Sequence, residues 1–135
     1  MGMDVYGRSP TAPVGRYFRA NIWSWRPIHA LCVELGGDLL GQDMLARMAV
    51  NVGAGPADQE TCHKLAERFD LWLEHHASGH QVDFELRVTA EGRFVSAEEQ
   101  AAHPELETLS PYQTDDEHLK EWVTFLRHCG GFAVW

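Results

Sequence analysis

Apolar residues recur along this chain with two periods, and the switches between them mark out its elements. Met3, Val5 and Gly7 alternate with Asp4 and Tyr6, which predicts a short strand, and the Ser9-Pro10 and Ala12-Pro13 pairs after it cannot remain helical. Trp23 and Trp25 alternate around Ser24, which suits an extended segment with one indole face buried. Pro27 suits the first turn of a helix whose stripe is Ile28, Leu31, Cys32 and Leu35, with Gly36-Gly37 as its stop. A second helix is expected from about Gly41 to Val50, with Met44, Leu45, Met48 and Ala49 inward, closing in an NVGAGP turn.

The strongest helical period starts near Asp58, a good N-cap, and runs to about His76 before Ser78-Gly79 breaks it. Cys62, Leu65, Ala66, Phe69, Trp72 and Leu73 take one face there. Val82, Phe84, Leu86 and Val88 then alternate with charged residues as in a half-buried strand, and Glu91-Gly92 returns the chain through Arg93-Phe94-Val95 as a hairpin. From Ser96 to Gln113 the chain reads as a short helix and an exposed loop. Thr114 and Glu117 have capping-box spacing for a last helix with Leu119, Trp122, Val123 and Leu126 inward and Gly130-Gly131 as its stop. The FAVW tail adds a short edge strand. These elements predict a single α+β domain over residues 1–135, with about four helices and a small antiparallel sheet or hairpin.

Charge changes this picture more than composition does. Residues 1–26 hold four arginines against Asp4, net +3, whereas residues 27–135 hold seven basic and nineteen acidic residues, net −12. An acidic body repels phosphates, so direct nucleic-acid binding is not expected. Cys32, Cys62 and Cys129 are an odd set without CxxC spacing in helical, apolar settings, which points to reduced buried thiols and a cytoplasmic protein. No window has the apolar length of a membrane span, and residues 1–16 lack the pattern of a signal peptide.

The segments MGMDVYG, YFRANIWSWRP and FLRHCGGFAVW resemble a family of small uncharacterised proteins from bacterial and phage genomes, over nearly the whole chain. That family has no established activity, so the resemblance carries over no catalytic residue. Its phage association implies, by analogy of class and charge, a phage-type anti-defence (anti-CRISPR-like) inhibitor that presents carboxylates where a host protein expects phosphates.

Residue by residue, the chemistry points away from catalysis. His76 and His80 have the i, i+4 spacing of two metal ligands beside His75, but Ser78-Gly79 ends the helix between them, and no HExxH or CxxC occurs; neither metal nor cofactor is expected. Cysteines in helix interiors make poor nucleophiles, and no GxSxG is present. NVGAGPAD, ahead of a helix, lacks both the Walker lysine and the GxGxxG pattern, and reads as a turn between helices. Asp115, Asp116 and Glu117 suit a first helical turn, where carboxylates favour the macrodipole.

Two features remain. Tyr17, Phe18, Trp23 and Trp25 are interleaved with Arg16, Arg19 and Arg26, which fits either core anchoring with arginine clasps onto the acidic body or an aromatic interface patch. Residues 98–121 hold eight carboxylates against Lys120, net −7. The leading expectation is therefore a non-enzymatic binding protein whose face of Glu98, Glu99, Glu105, Glu107, Asp115, Asp116 and Glu117, with Trp23 and Trp25, meets a protein with a basic surface. The alternative is a small enzyme or ligand binder with a pocket lined by the Tyr17 to Trp25 aromatics and His76 or His80.

Overall fold

A three-stranded antiparallel sheet and the helices laid on one of its faces form the body of the protein. The computed structural model describes residues 2–75, 80–81, 87–109, 111 and 113–135. Strand β1 (Gly2–Gly7) lies at the centre, flanked by β2 (Tyr17–Asn21) and β7 (Phe132–Val134), with Val5 opposite both Phe18 and Val134. Because side chains alternate across a sheet, Met3, Val5, Phe18 and Ala20 are buried on the inner face, while Tyr6, Tyr17 and Arg19 look outward. The tail is an edge strand as the sequence predicts. Its outer side is covered by the Gly53–Pro56 turn: Val134 N donates to Ala54 O at 2.9 Å and Phe132 N to Pro56 O at 2.9 Å.

Helix α1 (Ile22–Leu40) begins five residues before the expected Pro27, so Trp23 and Trp25 are helical rather than extended. The cause is a capping box made by Asn21 and Ser24: Ser24 N donates to Asn21 Oδ1 at 3.0 Å and Asn21 N to Ser24 Oγ at 3.2 Å. Two orphan donors of the first turn are thereby satisfied, which outweighs the backbone bond that Pro27 cannot make. At the expected stop, Gly36 does leave helical geometry (φ −126°, ψ 16°), but the chain resumes as a second helical stretch that runs on to Leu40. A Cβ at Gly36 would stand 2.7 Å from Leu65 Cδ1, so glycine there lets α1 approach α3 (Gln59–His75) closely.

Helix α2 (Gln42–Met48) buries Leu45 and Met48, but the expected inward Ala49 is exposed. Asp58 does cap α3, accepting from Thr61 N at 2.9 Å. After it come β3 (His80–Gln81) and a hairpin of β4 (Arg87–Val88) with β5 (Phe94–Val95); most of the predicted strand, residues 82–86, lies outside the described residues, as does His76. Helix α4 (Ala97–Ala102) is capped by Ser96 and buries none of its side chains. Strand β6 (Gln113–Thr114) pairs with β3 and leads into α5 (Asp116–His128). The α5 cap is Asp115, which accepts from His118 N at 2.8 Å, and not the expected Thr114, whose hydroxyl meets His118 Nδ1 at 3.2 Å instead.

Helices α1, α3 and α5 pack on one another and on the inner sheet face around Trp122, with Trp25, Phe69 and Phe132 edge-on to it and Phe125 stacked at 5.7 Å. Burying each such side chain contributes roughly 1.5–3 kcal/mol. The architecture is α+β. Among the described residues, no helix is long and apolar enough to cross a membrane.

Candidate functional site

The first turn of α1 is where the acidic and aromatic features of the sequence converge. Helical residues two apart point about 200° from each other, so Trp23 and Trp25 face opposite ways. Trp25 is 0% exposed, and its indole N–H donates to Met48 O at 2.9 Å. It is a core residue, and the expectation that it joins a partner surface is corrected. Trp23 is 36% exposed and lies against Phe94, itself 54% exposed, with ring centroids 6.2 Å apart. Phe94 is outward because its neighbour Val95 takes the inward position of the two-residue strand.

Two acidic helix starts flank this turn. On the Phe94 side is the first turn of α4, with Glu98 exposed and Glu99 paired to Arg93 at 3.1 Å. The Arg93 guanidinium holds the Glu99 carboxyl below its ordinary range. On the other side is the first turn of α5, anchored by His118, whose Nε2 lies 3.1 Å from Arg19 O at the edge of β2. That contact also occupies a backbone acceptor which an edge strand otherwise offers to another chain. Of the α5 carboxylates, Asp115 is committed to capping, Asp116 is half-buried and Glu117 is exposed. Glu105 lies beside His103 at 3.3 Å, and Glu107 lines an open cleft of about 960 Å³ with Arg87, Gln100 and Thr108. The seven predicted carboxylates therefore divide among two helix starts and a loop.

A second concavity, of about 790 Å³, adjoins the start of α1 and is lined by Asp4, Tyr17, Arg19, Ala20, Asn21, Ser24 and His118. Tyr17 donates a short hydrogen bond to Asp4, and the carboxylate raises the phenol above its usual range. Of the expected aromatic pocket, only Tyr17 is here; Phe18 and Trp25 are in the core. The expected arginine clasps do not form at Arg16 and Arg19, which make no ion pair among the described residues, while Arg8 holds the carbonyls of Phe132 and Gly55.

Several histidines have structural partners: His29 Nε2 meets Leu45 O at 2.6 Å, and His128 Nδ1 meets Thr11 Oγ1 at 3.3 Å. His75 ends α3 exposed, whereas His76 and the His80 side chain lie outside what is described. Among the described residues, no three His, Cys, Asp or Glu side chains come together as a metal site. All three cysteines are free and buried. Burial pushes the Cys32 thiol up; interaction with the Cys129 sulfur, together with burial, pushes Cys62 up, while Cys129, whose Sγ donates to Leu126 O at 3.5 Å, is lowered by its interaction with Cys62.

Sequence reasoning missed Phe94 and Asp4. The alternation in Arg93-Phe94-Val95 carried a signal that one of the two apolar side chains points out. Nothing in the sequence set Asp4 beside Tyr17, since that depends on strand register. The sequence matches no protein-family model, and neither a curated protein nor a solved structure matches it significantly.

Proposed function

We propose that this protein is a non-enzymatic binding module that meets a basic surface of another protein through Trp23 and Phe94, with acidic residues around them. The carrying observation is the exposed contact between Trp23 and Phe94, two large aromatics distant in sequence, set between two acidic helix starts. Aromatic side chains supply contact area at low entropic cost, and surrounding carboxylates steer a cationic partner and reject anionic ones. A partner arginine stacked on either ring would gain cation–π attraction while reaching Glu98 or Glu117. An anti-defence inhibitor of a nucleic-acid-handling host protein is one concrete form of this reading, supported by the −9 net charge and by the resemblance described above.

The test is affinity capture from nuclease-treated bacterial lysate, with the wild type and the double reversal Glu98→Lys/Glu117→Lys run side by side across a salt gradient. A stoichiometric basic protein, released by moderate salt and lost on reversal, is the expected result. Capture that is indifferent to both salt and reversal sinks the acidic-surface reading.

A further inference from the structure

We infer that the outer face of the sheet, with the cleft beside it, is a binding site for an uncharged saccharide. This site uses none of Trp23, Phe94, Glu98 or Glu117 and stands apart from that reading, although its cleft meets the first turn of α1 at Ser24 and that of α5 at His118.

On this face Tyr6 and Tyr17 are cross-strand partners, 47% and 41% exposed, with ring centroids 5.2 Å apart and planes tilted by 40°. The helices pack on the opposite face, leaving these rings open to solvent. The next row of the register sets Asp4 opposite Arg19. Opposite charges so placed ordinarily pair across a sheet. Here the Asp4 carboxylate takes the Tyr17 hydroxyl instead, and Arg19 makes no ion pair among the described residues. The cleft of about 790 Å³ opens beside them, and Asn21 lies on its wall. That volume falls within the range of small-molecule sites.

Ligand class follows from this chemistry. A fixed carboxylate acceptor and a guanidinium fork with no ion pair among the described residues, one residue pair wide, match vicinal hydroxyls, each of which both donates and accepts. An anion would meet Asp4 and the net charge of −9, and a cation would meet Arg19; a neutral polyol meets neither penalty. The apolar C–H face of a sugar ring suits exposed tyrosine rings, whose π faces carry partial negative charge. The Asp4 bond also fixes the Tyr17 ring in advance, which lowers the cost of ordering it on binding.

The experiment is an amide NMR titration of the full chain with glucose, galactose, N-acetylglucosamine, maltose and cellobiose, with adenosine and inorganic phosphate in parallel. At least one saccharide is expected to give saturable shifts confined to Asp4, Tyr6, the β2 residues and the cleft residues Ser24 and His118. Tyr6→Ala/Tyr17→Ala should then weaken it by roughly tenfold or more. If that double variant loses its fold, Arg19→Gln serves in its place and should weaken binding with the spectrum otherwise retained. Saturable shifts from adenosine or phosphate but from no saccharide, shifts elsewhere in the chain, no saturable shift at all, or unchanged affinity in the variants would overturn the inference.

Discussion

Trp23 and Trp25 are separated by one serine, yet they belong to different parts of the molecule's physics. Trp25 is sealed among α1, α2 and α5, its indole N–H satisfied by Met48 O. Trp23 sits at the surface against Phe94. The same residue type therefore anchors a core in one case and offers contact area in the other, and what divides the two roles is the helical phase set by the Asn21–Ser24 capping box. In an extended segment both indoles would have shared one face.

That contrast can be broken or sharpened by substitution. Trp25→Ala should cost about 3–5 kcal/mol, seen as a large fall in the denaturation midpoint, because it opens a cavity and strands a backbone carbonyl. A loss below about 1 kcal/mol would show that Trp25 is not the core anchor described. A finer contrast lies within the core. Trp122 is fully buried, and its indole N–H has no hydrogen-bond partner among the described residues, whereas that of Trp25 has one. Replacing an unsatisfied donor recovers part of its desolvation cost, so Trp122→Phe should be milder than Trp25→Phe by about 1 kcal/mol in urea unfolding. Equal costs, or the reverse order, would contradict this.

The smallest expected effect comes from acid. The Arg68 guanidinium depresses Asp38, the Thr61 backbone N–H and hydroxyl depress Asp58, and Arg93 depresses Glu99. Carboxyls held below their unfolded values contribute stability that is fully present above those values, about 4. It is lost as pH falls through the depressed folded values. The thermal midpoint should therefore stay level from neutral pH to about 5 and drop below about 4, and Asp58→Asn should flatten that drop slightly.

Much of the fold was legible because burial and period agree. In α3 and α5 the residues at helical spacing are the buried ones, from Cys62 to Trp72 and from Leu119 to Leu126. The start of α1 was not, for a local reason: Asn-x-x-Ser closes a capping box as Ser-x-x-Glu does, and Pro27 drew the expected boundary to itself. Gly36-Gly37 marked a break but not the end of the helical segment, and the pattern gave no sign that Gly36 also serves the approach of Leu65. Of the candidate surface, the acidic helix starts could be read directly from Glu98, Glu99 and Asp115 to Glu117. The neighbourhood of Trp23 and Phe94 could not, because a contact between distant segments is fixed by tertiary packing rather than by either segment's pattern.

The measurement closest to the central claim is partner capture by wild type and by Trp23→Ala/Phe94→Ala, after matched thermal unfolding has shown both folded. Removing the two part-exposed rings is expected to cost a few kcal/mol at most, leave the protein folded and abolish capture of the basic partner. Undiminished capture by the folded double variant would contradict it and remove the aromatic pair from the interface.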